Sequence, residues 1–233
     1  PRVIACAKEA GADVLCLQEV MDFELPLLHE AYHFVRFVPM TQFADGTRMG
    51  LVTCTNLIVS EESVQYYMGS NAMELPLFDE STPEQVNATK RRPLLTCDVL
   101  CLRERYRVGN THFLYSKDGK VSEQHYVALH ALIKGAKLAR EMILCSAMVM
   151  HRGGPLYKEL MKHSKFKDLV PRSITCTLDP ELHKLAARLK SGEMPPVVVD
   201  YIFGVGPSFR SLPVEVHQFF GVADHTPLLA TVS

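Results

Sequence analysis

Polar side chains that suit acid–base, metal and phosphate chemistry stand at the ends of four apolar runs. These are Gln18-Glu19 after DVLCL, Asn110-Thr111-His112 after YRVG, Asp200-Tyr201 after PPVVV, and Asp224-His225 just before TPLLATV. A phosphoryl-transfer site needs carboxylate oxygens to hold Mg²⁺. It also needs a carboxylate or imidazole to orient water, and cationic or amide donors for the developing charge. These residue types therefore indicate phosphate-ester chemistry.

The candidate roles follow from the chemistry of each side chain. Carboxylates suit a hard cation, imidazoles suit proton transfer or a phosphate oxygen, and an amide suits a phosphate or a neighbouring group. The candidates are Glu19 and Asp224 as metal ligands, His112, Asp200, Asp224 and His225 as catalytic residues, and Asn110 and His225 as phosphate-binding residues.

Each of these residues also has an ordinary structural interpretation. Glu19 would suit the N-terminus of a following helix, and His112 would suit a half-buried position with satisfied hydrogen bonds. Asp200 would suit the edge of a strand ladder, and Asp224 an Asx-type turn before a strand. The repeated placement at strand ends, and the order along the chain, favour a common site.

Composition frames this site within one large domain spanning residues 1–233. Hydrophobic residues make up 47% and charged residues 22% of the chain, which are ordinary globular values. The net charge of −1 gives no electrostatic argument for a dedicated nucleic-acid or membrane binder, although a local basic groove is compatible with it. No apolar run is long enough to span a bilayer. The seven cysteines lack a CxxC pair and several lie in apolar runs, which favours a reducing, cytoplasmic setting.

Strand and helix patterns are mixed along the chain. Apolar runs such as DVLCLQEV, RPLLTCDVLCL and EMILCSAMVM predict buried strands, and residues 121–141 carry an amphipathic helical pattern. LDPELHKLAARL predicts a short helix, and residues 68–92 predict a long surface loop. Several adjacent strand pairs favour a sandwich of sheets flanked by helices over a simple parallel sheet.

On these motifs the sequence resembles the endonuclease/exonuclease/phosphatase (DNase I-like) superfamily. ADVLCLQEV is similar to its strand with the metal-binding glutamate, GNTHF to its NTH strand, VVVDYIF to its DYIF strand, and VADHTPLLATV to its SDH motif with Ala223 in place of serine. The four motifs occur in the expected order over nearly the whole chain. The resemblance implies a four-layer α/β/β/α sandwich, Mg²⁺ or Mn²⁺ as cofactor, and a phosphate-ester ligand.

Two features depart from the family pattern. The family's first strand, which brings an asparagine to the site, is expected before Arg2. Between NTH and DYIF the family carries GDFN, whose Asp and Asn hold the attacking water and the phosphate. The matching strand here is ILCSAMV, so that Ala147 and Val149 stand where the Asp and Asn are expected. Neither side chain can accept a proton or donate to a phosphate.

Three functional hypotheses follow from the degraded positions Ala147 and Val149. The first is a member of the phosphohydrolase superfamily that is weak or inactive in hydrolysis. The second is an active Mg²⁺-dependent phosphodiesterase with rearranged catalytic groups, and the third is a non-catalytic interaction scaffold. The substrate class and the oligomeric state are left open by the sequence. The 68–92 loop, which ends in Lys90-Arg91-Arg92, is a candidate recognition element, although a solvated loop is the favoured interpretation.

Overall fold

The computed structural model describes residues 1–72, 74–163, 165–210 and 214–232. These residues form eleven strands and six α-helices in mixed order. The helices are α1 Arg2–Glu9, α2 Leu25–Ala31, α3 Pro83–Ala88, α4 Glu123–Ala136, α5 Pro155–Met161 and α6 Ala186–Ser191. The strands are β1 Val14–Met21, β2 Phe34–Gln42, β3 Arg48–Thr55, β4 Ile58–Met68, β5 Arg92–Cys101, β6 Glu104–His112, β7 Met142–Ala147, β8 Phe166–Asp168, β9 Asp200–Val205, β10 Val214–Gln218 and β11 Leu228–Val232.

The largest sheet has six strands in the order β4-β5-β6-β7-β9-β8. The β6–β7 pair is parallel, and the other neighbours in this sheet are antiparallel. The parallel pair requires a crossover, which α4 supplies between β6 and β7. Residues at the C-terminal ends of β6 and β7 therefore lie side by side.

Alternation along β7 divides its residues between two packing layers. Met142 and Leu144 lie in the core cluster that contains α4 and α5 residues such as Leu129 and Leu156. Ile143 and Cys145 point the other way, against the β10–β11 pair. A strand with both faces covered reads as a continuous apolar run, which explains the composition of ILCSAMV.

A second layer of strands covers that other face. The sheet β1-β3-β2 packs on the six-stranded sheet through Met40 and Leu51, which lie in one buried cluster with Leu95. Its outer face carries α2, whose Leu28 packs with Val52. Helix, sheet, sheet and helix thus follow one another, and the predicted four-layer α/β/β/α sandwich is confirmed. Among the described residues, β1 pairs with β3 alone and β11 with β10 alone. A further strand before Arg2 and the single 1–233 domain stay predictions.

Two local predictions were wrong. The segment 68–92 is not a solvated loop throughout, because it contains α3 and its last three residues, Lys90, Arg91 and Arg92, are buried. Met73, within that segment, lies outside the described residues. LDPELHKLAARL is helical only from Ala186, because the Asp179 carboxylate accepts from the N–H groups of Glu181 and Leu182 and holds the preceding residues in turns.

No helix among the described residues is both long and apolar enough to cross a membrane. The cytoplasmic location expected from the cysteines stays a prediction.

Candidate functional site

Three strands of the large sheet place His112, Ala147 and Asp200 in one row. His112 of β6 is paired with Ala147 of β7, and Ala147 is paired with Asp200 of β9. Paired residues on neighbouring strands project to the same face of a sheet. The methyl group of Ala147 therefore lies between an imidazole and a carboxylate, at a position that is only 6% exposed.

Glu19 reaches this row from the second sheet through an irregularity in β1. The β1–β3 register shifts between Leu17 and Val20, and Glu19 has a left-handed backbone with φ of 56°. Its Oε1 lies 2.6 Å from Lys90 Nζ and 3.5 Å from His112 Nε2. Burial opposes ionisation of Glu19, but His112 and Lys90 outweigh it and bring the pKa of Glu19 to about 2. The carboxylate is therefore ionised at neutral pH.

Lys90 and Arg92 are site residues that sequence reasoning placed on a solvated loop. The Lys90 side chain is 6% exposed, and its Nζ lies 5.0 Å from the centre of the Phe78 ring. Arg92 is fully buried, and its Nη1 donates to the carbonyl of Phe113 at 2.8 Å. One sequence feature could have indicated their burial: Arg92 begins the apolar run RPLLTCDV, which predicts a buried strand, and Lys90 stands just before it. We call Glu19, Lys90, Arg92 and His112 the Glu19 cluster.

Two groups contact the same nitrogen of His112. Its Nδ1 lies 3.0 Å from Arg92 Nη1, which can only donate, and 2.9 Å from the Phe113 carbonyl oxygen, which can only accept. The other ring nitrogen, Nε2, faces Glu19. Burial lowers the pKa of His112 to about 4, against the opposing effect of Glu19. His112 is therefore neutral at neutral pH. Its expected catalytic role stays a prediction.

The pKa of His112 predicts an acid-sensitive fold. The ordinary pKa of this imidazole is 6.5 and the folded pKa is about 4, so between these values the unfolded chain binds a proton that the folded chain does not. The stability falls as the pH drops through this window, by at most about 1.4 kcal/mol per pH unit. We expect His112→Gln to flatten the fall in urea-unfolding free energy across this range. The exposed His29→Gln is the control, and equal slopes in the two variants would contradict the prediction.

Asn110 joins the two sheets. Its Nδ2 donates to the carbonyls of Leu17 at 3.1 Å and Val52 at 2.9 Å, and its Oδ1 accepts from Gln18 Nε2 at 2.7 Å. Both amide hydrogens are thereby used within the protein, and the residue is 1% exposed. In this arrangement Asn110 positions β1 beside β6. To donate to a phosphate, its amide would have to break the hydrogen bond to Leu17 or to Val52.

Asp200 and His225 form a second group across the row. His225 Nδ1 donates to Asp200 Oδ2 at 2.8 Å, which leaves Nε2 as the other functional nitrogen of the ring. Burial opposes protonation of His225, but the hydrogen bond and charge of Asp200 outweigh it and raise the pKa of His225. The charge of Glu19 contributes to the same shift. His112 and Asp200 flank Ala147 on neighbouring strands, so the two groups lie on either side of that residue.

His183 is the last member of this second group. None of the sequence motifs contains it, so the sequence did not indicate it as a site residue. It is buried, its ring centre lies 5.3 Å from that of His225, and the ligand atoms of His183, Asp224 and His225 lie within 4.8 Å of one another. The Leu185 N–H donates to His183 Nδ1, so a neutral His183 carries its proton on Nε2. We call Asp200, Asp224, His225 and His183 the His225 cluster.

Val149 holds a backbone conformation that a β-branched side chain disfavours. Its φ is +48°, in the left-handed region that Asn and Gly tolerate best. Asparagine is the residue that the family resemblance places here. The backbone at this position is therefore one that asparagine adopts more readily than valine.

Val149→Asn is therefore expected to stabilise the protein by about 0.5–1 kcal/mol through relief of backbone strain. Denaturant unfolding of the variant measures this gain. The control is Val127→Asn on the exposed face of α4, where the backbone is helical and no gain is expected. A loss of stability in Val149→Asn equal to that of the control would contradict the explanation.

Comparison with known proteins identifies the fold. No protein-family model and no curated protein matches the sequence. An endonuclease/exonuclease/phosphatase structure from Bacteroides vulgatus is 15% identical with a TM-score of 0.70, over 100% of this chain and 88% of that chain. A mannosyl-6-phosphatase from Bacteroides thetaiotaomicron is 12% identical with a TM-score of 0.63, over 99% of this chain and 89% of that chain. The human nocturnin catalytic domain with a bound sulfate anion is 13% identical with a TM-score of 0.61, over 100% of this chain and 85% of that chain. The chain has the DNase I-like fold of these structures, and the resemblance seen in the motifs is confirmed at that level.

Proposed function

We propose that this chain binds a phosphate ester at the site between the Glu19 cluster and the His225 cluster, and that it hydrolyses the ester weakly or not at all. The observation that carries the proposal is the row His112–Ala147–Asp200. An apolar, buried methyl group stands at its centre, where the resemblance expects the aspartate that orients water. A general base contributes about 10²–10⁴-fold to a rate, so its absence alone leaves a poor hydrolase.

Phosphate binding is supported by the charges that remain. His225 has a raised pKa and a half-exposed ring, so that its protonated form can donate to a phosphate oxygen, and Asp200 orients it. The similar structures include a phosphatase and a domain that holds sulfate, an anion of the same shape and charge type as phosphate. The class of the phosphate ester is left open. The net charge of −1 gives no argument for nucleic acid.

The residues around Glu19 do not fit the Mg²⁺ or Mn²⁺ that the resemblance implies. Lys90 Nζ stands 2.6 Å from Glu19 Oε1, so this oxygen already faces a cation. The other set, His183, Asp224 and His225, offers two ring nitrogens and one carboxylate, whereas Mg²⁺ and Mn²⁺ prefer oxygen ligands. No step of the proposed function therefore passes through a metal.

A panel of phosphodiesters and phosphomonoesters, assayed with Mg²⁺, with Mn²⁺ and in chelator, tests the proposal. We expect slow or undetectable turnover together with binding of inorganic phosphate, and we expect His225→Ala to abolish that binding. His217→Ala is the matched control, because His217 is a half-exposed histidine on β10 away from the row. Efficient turnover that is lost in His225→Ala would overturn the proposal.

A second candidate function is an active phosphohydrolase with rearranged groups. The Asp200–His225 pair favours it, because a carboxylate-oriented imidazole is a common acid–base device. Efficient turnover lost in both Asp200→Asn and His225→Ala would support this second function. Absence of phosphate binding and of turnover would instead favour a scaffold.

A further inference from the structure

We infer that the ammonium group of Lys90 takes the place of a divalent cation beside Glu19, so that the site binds a phosphate group without a metal. The inference rests on the proposed function for the identity of the ligand, whereas the replacement of the cation rests on the Glu19 cluster alone. It begins from the Lys90–Glu19 contact of 2.6 Å, which is a charge-assisted hydrogen bond at the short end of the usual range.

The contact places a cation on one of the two carboxylate oxygens that a metal would use. A Mg²⁺ ion binds a carboxylate oxygen at about 2.0–2.1 Å. An ion bound to Glu19 Oε1 at that distance lies within about 4.7 Å of Lys90 Nζ, whatever its direction, since the ammonium is 2.6 Å from the same atom. A doubly charged ion and an ammonium at such a separation repel each other, and water around the 47% exposed Glu19 side chain screens part of that repulsion. His112 Nε2 lies 3.5 Å from the same oxygen.

Lys90 is also held in place by its surroundings. Its ammonium lies over the Phe78 ring at 5.0 Å. The backbone on either side is tied to β2, since Thr41 Oγ1 donates to the Thr89 carbonyl at 2.6 Å and the Arg91 N–H donates to the Met40 carbonyl at 2.9 Å. The backbone around Lys90 is therefore tied to β2, and the Phe78 ring flanks its ammonium group.

Within the Glu19 cluster, cations outnumber anions. Lys90 and Arg92 carry two positive charges against the single negative charge of Glu19. Lys184 lies near enough for its charge to act on Lys90. An ammonium has three donors, of which Glu19 accepts one. The cationic side chains of the protein can thus attract a phosphate group in place of a metal ion.

Calorimetric titration of inorganic phosphate, with Mg²⁺ and in chelator, tests the inference directly. The wild-type protein is expected to bind phosphate equally in both conditions. Lys90→Met, which keeps the aliphatic chain but removes the charge, is expected to lose about tenfold or more in phosphate affinity in chelator, an energy of about 1.4 kcal/mol. Lys158→Met on the exposed face of α5 is the matched control and should bind as the wild type does.

A metal titration provides the second arm. Wild-type protein should show no Mn²⁺ binding that depends on Glu19, whereas Lys90→Met should gain Mn²⁺ binding that Glu19→Gln then removes. Should Lys90→Met fail to fold, the same point is decided by Mn²⁺ broadening of the His112 ring signals in the wild-type NMR spectrum that disappears in Glu19→Gln, because that ring adjoins Glu19. Broadening there, or phosphate binding that requires metal, would overturn the inference.

The two proposals fail in different ways. Efficient hydrolysis in chelator would overturn the proposal of weak activity and support the replacement of the metal by Lys90. Hydrolysis that requires metal and is lost in Glu19→Gln would overturn both. No phosphate binding in any condition would overturn the proposed ligand and the phosphate half of this inference, and the Mn²⁺ titrations would still decide whether Lys90 excludes a cation.

Discussion

Replacing Ala147 by aspartate and Val149 by asparagine is expected to raise kcat/KM for an activated phosphodiester by about 10²-fold or more. Ala147 lies in register between His112 and Asp200, so that a carboxylate introduced there would face the same site as both. The left-handed backbone at Val149 already suits asparagine. The double variant therefore introduces an acid–base group and an amide donor at the two positions where the resemblance expects them.

The matched control is Ala147→Asn with Val149→Asn, because asparagine has the size of aspartate but cannot act as a general base at neutral pH. Rates of both variants are measured across pH, in chelator and with Mg²⁺. A gain confined to the aspartate variant would support the assignment of the strand. Equal rates in both variants would show that Ala147 does not occupy the position of a catalytic acid. A new buried carboxylate beside Asp200 is also expected to lower the stability, by about 1–3 kcal/mol.

Arg92→Met is expected to cost about 2–4 kcal/mol of unfolding free energy, the largest stability loss of the changes considered. Arg92 is fully buried, donates to the Phe113 carbonyl and to Asn87 Oδ1, and lies 3.0 Å from His112 Nδ1. Methionine fills much of the same volume but leaves these acceptors with fewer donors, and an unsatisfied buried polar group costs about 1–3 kcal/mol.

Arg105→Met is the control for the loss of charge. The Arg105 side chain is 61% exposed and lies 3.7 Å from Asp98, whose carboxylate also holds Arg107 at 2.6 Å. Asp98 keeps this closer partner, so the loss of the exposed arginine is expected to cost about 1 kcal/mol or less. Denaturant titration of both variants gives the two free energies. A loss in Arg92→Met no larger than that in Arg105→Met would show that the buried network around His112 adds little to the fold.

The positions of several site residues could be predicted from the sequence because the patterns that mark them are local. Glu19, His112, Asp200 and His225 each stand next to an apolar run, and such a run predicts a buried strand from its own composition. The adjacent strand pairs predicted a sandwich of sheets flanked by helices, from residue types and their spacing alone. The four layers, and the acid expected at Ala147, came instead from the resemblance of the motifs to the superfamily.

The role of Lys90, Arg92 and His183 was decided by tertiary structure alone. Lys90 and Glu19 are separated by 71 residues, and Arg92 and His112 by 20. The residues next to a lysine in the sequence do not reveal whether its side chain is solvated or buried. That depends on its partner, and the packing of distant strands decides which partner it meets. Register is a second such property, since it was the pairing of β6, β7 and β9 that placed Ala147 between His112 and Asp200. The sequence determined which chemical groups are present in this protein. Only the packing of the sheets decided that an ammonium group stands beside Glu19, because long-range contacts set the neighbours of a charged side chain.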